Sequence, residues 1–321
     1  MLLSFVVVSQ DTNSSFEKTI DSIYAQTDND YEVIIVSDKS MADNAKEVYG
    51  RDKFWNNNNV KLVLNNSIQG LSVSWNTAID LAEGKYIKFV NQGDSIKPNY
   101  VEEMKKTVEK FKSDEIDIIE YDVQLVGLTN TTIETYLEKD NVYELANCYD
   151  PYAYTNSILF NKVFRTKLLQ DFGFKFRRFV RFDMLFIYKV LGQTDKFLYR
   201  SGEPLEEVMV APVQYSAFDL VNQWTHILNY YRRIAKFKDL KDYLNYAYYK
   251  TMVHIWLWMI KHYDNKLLLK KASSFVERKF AEKQEDFVAE NKVFKQQKDA
   301  RFTEICTNFS KYIKDMYKLA K

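Results

Sequence analysis

Cysteine is nearly missing from this 321-residue chain. Cys148 and Cys306 lie far apart and form no metal-ligand spacing, so no zinc site follows from them and they suit a reducing compartment. Long apolar runs are missing too. The opening stretch MLLSFVVVS has no basic n-region and no cleavage site, and it falls far short of the ~20 residues a membrane span needs, so it reads as a first strand. The aromatic run HIWLWMI at 254–260 is only seven residues long. Repeats are absent, and the one low-complexity tract is the four asparagines at 56–59. What is there excludes global disorder: 46% of residues are hydrophobic and 16% aromatic. A chain of this length can bury a full core, and two domains are the default expectation.

Net charge is also nearly absent, at +1, but it is unevenly placed. Residues 221–321 hold 21 Lys and Arg against 11 Asp and Glu, whereas the first 220 residues hold 24 against 33. That asymmetry predicts a boundary near 215–220 and makes the C-terminal third a candidate for contact with something anionic. Its basic helices carry no recognisable nucleic-acid module, so nucleic acid is not an expected partner.

Along the first half, short β-branched and aromatic runs alternate with helical periodicity. Strands are expected at Leu3–Ser9, Tyr31–Ser37, Val60–Leu64 and Tyr86–Val90, with a further strand at 116–121. Helices are expected after Ser14, over 43–55, over 72–82 with Gly84 as C-cap, and over 100–111. Alternation at this pitch means βαβ units and a doubly wound sheet. Ligands of such sheets bind outside the carboxyl ends of the strands. The polar tip after the fourth strand, Asn91, Gln92, Gly93, Asp94 and Ser95, is therefore a candidate site, where a carboxylate can ligate a divalent cation or bind a sugar hydroxyl. The same residues also suit a solvated turn with a helix cap.

The ordered segments SFVVVSQDT, TIDSIYAQTDNDYEVIIVSDKS, NNSIQGLSVSWNTAIDLAEGKYIKFVNQGD and KPNYVEEM resemble the N-terminal half of family 2 glycosyltransferases. The resemblance continues at FNKVFRTKLLQDFGFKF and RFDMLFIYKVL and covers roughly residues 1–200. It implies the GT-A fold, an α/β architecture with a Rossmann-like, mostly parallel sheet and flanking helices, here followed by an all-α C-terminal region. Its domains would be 1–215, divided into a nucleotide-sugar half at 1–98 and an acceptor half at 99–215, and a helical domain at 216–321. The implied activity is inverting transfer of a sugar from a nucleotide diphospho-sugar, UDP-linked, to a cell-surface glycan, glycoprotein or lipid-linked acceptor.

By that resemblance the donor contacts are Gln10, Asp11, Asp38, Trp75, Asn76, Asn91 and Asp94. Asp38 stands where the family's carboxylate meets the base and ribose, and it equally suits a cap. Gln10 replaces a Tyr, Asp11 an Asn, and Trp75 an Arg, which removes a guanidinium suited to the nucleotide. The family clamps Mn²⁺ or Mg²⁺ against the diphosphate with an Asp-x-Asp motif. Here only Asp94 remains of it, so either Mn²⁺ or Mg²⁺ is held by Asp94 and the phosphates alone, or basic side chains replace the metal, or the donor is no longer bound. Arg177, Arg178 and Arg181 are candidates for the phosphate or acceptor side, as well as for a plain solvated face, and Lys162 for framing the acceptor floor. The implied general base is Asp183, which also stands in position to cap a helix at Met184–Leu191.

From Asp219 onward the chain reads as helical, with aromatics at three- and four-residue spacing that fit a bundle core. The alternative is that Trp256, Trp258 and the many lysines dock on an anionic membrane or a partner enzyme. Such a bundle can also dimerise, and the expected location is the cytoplasm, at the inner face of the cell membrane if docked. Two functional classes remain open: an active glycosyltransferase, or a non-catalytic relative kept as scaffold or partner subunit.

Overall fold

The computed structural model describes residues 1–9, 14–37, 59–65, 67–112, 115–132, 135–177, 184–210 and 217–321. The helix expected over 43–55 lies outside them. The chain packs as two units. The first comprises Met1–Glu134, Glu138–Asn147 and Asn156–Ala211, and the second Thr135–Leu137, Cys148–Thr155 and Pro212–Lys321. No sequence signal marked the two short excursions that join the helical unit.

In the first unit the strands are β1 (Leu3–Ser9), β2 (Tyr31–Ser37), β3 (Val60–Leu64), β4 (Tyr86–Val90), β5 (Ser95–Ile96), β6 (Ile118–Tyr121), β7 (Gln124–Gly127), β8 (Thr131–Thr132), β9 (Asn141–Glu144), β10 (Lys162–Arg165), β11 (Lys196–Arg200) and β12 (Glu206–Val210). Its main helices are α1 (Ser14–Tyr24), α2 (Leu71–Leu81), α3 (Tyr100–Lys110) and, further on, α6 (Met184–Leu191). Short helices α4 (Asp150–Tyr154), packed in the second unit, and α5 (Thr166–Asp171) come between α3 and α6. Among the described residues the main sheet runs β3-β2-β1-β4-β10-β6-β11-β9, with β1 parallel to both β2 and β4. Strand β10 is antiparallel to both its neighbours, so the sheet is mixed. All seven residues of β1 and of β2 are buried, as continuous apolar runs require when helices cover both faces. Helix α1 buries Phe16, Thr19, Ile20 and Ile23, three- and four-residue steps along one face. A second sheet, β5-β12-β7-β8, packs beside the first.

Gly84 does not cap α2, which ends at Ala82 in extended backbone. A Cβ on Gly84 would stand 2.7 Å from Leu3 C and Ser4 N, so the close approach of β1 excludes any side chain there.

The second unit is built from α7 (Asp219–Arg233), α8 (Phe237–Tyr249), a π-helical stretch Lys250–Trp256, α9 (Leu257–Lys261), α10 (Lys266–Phe280), α11 (Gln284–Glu290), α12 (Ala300–Thr307) and α13 (Phe309–Leu319). Trp224, Trp256, Tyr231, Phe280 and Phe302 sit in its core at 0–1% exposure. This corrects the reading of Trp256 as a surface aromatic: its Nε1 donates to Ala217 O at 2.6 Å, and of that pair only Trp258, 37% exposed, reaches solvent. Among the described residues no helix is long and apolar enough to cross a membrane.

Within the π-helical stretch, His254 Nδ1 is buried without a partner among the described residues, and burial pulls the ring down to about 4 despite the attraction of Asp299. A histidine depressed on folding takes up its proton first in the unfolded chain. Stability is therefore expected to fall as pH drops from the unfolded value of 6.5 through about 4. The loss amounts to about 3 kcal/mol, and His254→Gln is expected to flatten that slope in urea titrations across the same window.

Candidate active site

The strand order reverses between β1 and β4: the chain builds outward through β2 and β3, then returns to the other side of β1. The crevice outside the carboxyl ends of these strands is where such sheets take ligands. Ser9 and Ser37 face each other in register at the carboxyl ends of β1 and β2. Both are almost wholly buried, and neither hydroxyl has a partner among the described residues. A buried hydroxyl without a hydrogen bond is costly, so this pair marks the rim as a place where a polar group belongs. In the sequence each serine closes an apolar run, which carries no sign of a polar role. Gln10, Asp11 and Asp38, which follow directly in sequence, lie outside the described residues.

The tip after β4 is locked from within. Asp94 has no exposed surface; its Oδ2 accepts the Asn91 N–H at 3.1 Å and its Oδ1 the Met209 N–H at 2.8 Å. Thr19 Oγ1 donates to Asp94 O at 2.8 Å and accepts the Gly93 N–H at 2.9 Å. Gly93 stands at φ +101°, a conformation L side chains avoid. Burial pushes the Asp94 carboxyl well above the usual range, the charge of Glu206 adds to this, and the two N–H groups pull it back. As placed, Asp94 ties the tip of β4 to β12 rather than facing a cation. Asn91 offers only a neutral amide and Gly93 no side chain. Among the described residues no three His, Cys, Asp or Glu side chains come together as a metal site. Of the described residues at this tip only Asp94 carries a carboxylate, and both its oxygens already accept N–H groups.

Beneath the tip lies a buried ion pair that no local signal announced. Lys88, the middle residue of β4, donates to Glu206 Oε1 at 2.9 Å and to Phe89 O at 2.8 Å, and also bonds Phe160 O. Tyr121 donates to Glu206 Oε2 at 2.9 Å, and Tyr100 donates to Tyr121 at 2.8 Å. Burial pushes Lys88 down and Glu206 up, while each partner favours the charged form of the other.

The remaining residues read from the sequence divide in two. Asn76 pins the chain before α6: its Oδ1 accepts the Phe176 N–H at 2.7 Å and its Nδ2 donates to Phe176 O at 3.0 Å. Trp75, 5% exposed, lies 4.9 Å from the Phe176 ring and 6.1 Å from those of Phe89 and Phe160. It walls an aromatic cluster, and its buried Nε1 has no partner among the described residues. Lys162, read as framing the acceptor floor, has its partners inside the fold. It is wholly buried, 3.1 Å from Glu120, and its Nζ holds Asn156 O, Ile158 O and Asn161 Oδ1 in place. Arg177 is exposed. Arg178, Arg181 and Asp183 lie outside the described residues, so of Asp38, Asp94 and Asp183 only Asp94 has a described position.

A sheet whose strand order reverses at β1, followed by helices, is an arrangement the GT-A class shares, and the likeness to solved structures narrows it to that class. The chain's fold matches that of Staphylococcus aureus TarS 1–349, solved in complex with UDP-GlcNAc, with a TM-score of 0.64 over 100% of this chain and 90% of that one at 16% identity. The TarS complex with UDP gives 0.62 over 84% and 83% at 18% identity. The mannosyltransferase PcManGT of Pyrobaculum calidifontis, in complex with GDP-Man and Mn²⁺, gives 0.52 over 98% and 85% at 13% identity. Residues 4–173, more than half of the chain, match glycosyl transferase family 2, and the chain belongs to that family. EpsH of Bacillus subtilis is 24% identical over 174 residues, which cover 52% of this chain and 48% of EpsH. The glycosyltransferase GlyA of Streptococcus pneumoniae serotype 4 is 25% identical over 174 residues, covering 53% of this chain and 23% of GlyA. The chain thus spans about half the length of EpsH and about a quarter of GlyA.

Proposed function

We propose that the chain transfers a sugar from a UDP-linked donor, with inversion, to a hydroxyl of a cell-surface glycan, glycoprotein or lipid-linked acceptor in the cytoplasm. The observation that carries this reading is the switch-point rim, where the Ser9 and Ser37 hydroxyls, buried and without a partner among the described residues, directly precede Gln10, Asp11 and Asp38 in sequence. Family membership and the likeness to a fold solved with UDP and UDP-GlcNAc support it. In the proposed step Asp183 takes the acceptor proton while the acceptor oxygen bonds to the sugar's anomeric carbon. The bond from that carbon to the phosphate oxygen breaks, and its electron pair leaves with UDP. Asp38 would hold the base and ribose, and Arg177, Arg178 and Arg181 would meet the diphosphate charge.

A second reading is favoured by one observation: Asp94, the remaining carboxylate of the metal motif, is buried and already hydrogen-bonded. It would make the chain a non-catalytic scaffold or partner subunit. Calorimetry separates the two. Saturable binding of UDP-GlcNAc or UDP-glucose, titrated with and without Mn²⁺, is expected, and Asp38→Ala is expected to weaken it at least ten-fold. The absence of heat with every nucleotide sugar in both conditions would leave only the scaffold.

A further inference from the structure

Helix α10 turns two faces outward and inward. Leu269, Ala272, Ser273, Val276 and Phe280 are buried in the helical unit. Leu267, Lys270, Lys271, Ser274 and Arg278 recur at the complementary helical positions and line the outer side. There they border a groove of about 490 Å³, within the size range of sites for small ligands. Its apolar wall is made by Phe218 and Phe275, whose rings meet at 5.6 Å. Leu267 stands 63% exposed at its mouth.

Three cations and no carboxylate line this groove. Among the described residues Lys270, Lys271 and Arg278 form no ion pair, as is also true of several other surface cations of this unit. The first turn of α10 carries no acidic residue, and Lys266 stands there instead.

We propose that this face binds the phosphate headgroup of an anionic phospholipid and seats the helical unit on a bilayer. Charge complementarity calls for an anion. The apolar half of the lining separates a lipid from free phosphate, because the exposed Leu267 and the Phe218–Phe275 wall have no role toward a bare ion but match the boundary between headgroup and acyl chain. The inference stands apart from the transfer reading and needs no donor or turnover to test.

The test is co-sedimentation of the full chain with vesicles of phosphatidylcholine alone, or of phosphatidylcholine and phosphatidylglycerol in equal parts. Binding is expected only to the second. Each lysine or arginine at an anionic surface contributes about a five-fold gain in partition, so the triple variant Lys270→Gln, Lys271→Gln, Arg278→Gln is expected to lose on the order of a hundred-fold. The control Arg233→Gln, Lys238→Gln, Lys241→Gln removes the same charge from exposed positions on α7 and α8 and is expected to lose far less. Leu267→Ser, which leaves charge untouched, is expected to weaken binding several-fold. The single variant Lys271→Gln, with its helical circular dichroism unchanged, supplies the measurement if the triple variant does not fold. Equal binding to neutral vesicles, no binding to either, an equal loss in the control, or full displacement from the bilayer by inorganic phosphate would each overturn the assignment.

Discussion

Lys88→Ala is expected to lower the unfolding free energy of the first unit by about 3–5 kcal/mol, read as a fall in the urea midpoint at unchanged slope. Both members of the Lys88–Glu206 pair are 0% exposed, so water cannot replace the missing cation. What remains is a carboxylate in an apolar sheet with Tyr121 as its one hydrogen-bond donor among the described residues. The sign with pH follows. Burial already holds Glu206 above its ordinary value of 4.5, and loss of Lys88 raises it further. A carboxyl raised in the folded state is not penalised below its unfolded value, and its penalty grows as pH climbs through the folded one. The deficit of Lys88→Ala is thus expected to shrink on acidification. The double variant Lys88→Met, Glu206→Leu removes both charges and is expected to recover most of the loss, because a buried pair replaced by apolar groups of similar volume is close to neutral.

That pair also shows where the sequence stops being informative. The bounds of β1, β2 and β4 follow from largely apolar runs, because a strand covered on both faces writes its burial into consecutive residues, and those of the half-buried β3 from its Val and Leu residues. The helical unit announces itself the same way, through aromatics that recur at three and four residues. Strands β5 and β8, two residues each, are too short to carry a period, so the second sheet had no signature. Lys88 and Glu206 lie 118 positions apart, and nothing local tells a lysine inside an apolar strand which carboxylate will meet it. At the site, spacing and resemblance pointed to Asp94 as a residue of consequence. Whether a carboxylate at a strand tip faces a ligand or the interior depends on what packs behind it. Here the N–H of Met209, from a strand more than a hundred residues on, decides for the interior. Trp75 follows the same logic: its partners Phe160 and Phe176 come from a distant segment and draw the ring inward.

Asp183→Asn is expected to lower kcat by about 10²–10⁴-fold while leaving the Kd for the UDP-sugar within a factor of about three. The choice of asparagine separates the two roles open to this residue, which directly precedes α6 at Met184–Leu191. Asn caps a helix about as well as Asp, so a residue that only caps would pass this change with stability and turnover intact. As a base, however, an amide cannot accept the acceptor's proton at any working pH, and the acid limb of the pH–rate profile should vanish with the activity. Asp183→Ala supplies the complement: loss of the cap should cost about 1 kcal/mol of stability on top of the same loss of turnover. Full activity in Asp183→Asn together with a destabilised Asp183→Ala would make the residue a cap alone and move the search for the base elsewhere. An unchanged UDP-sugar affinity in both variants would separate Asp183 from donor binding and leave it to the acceptor.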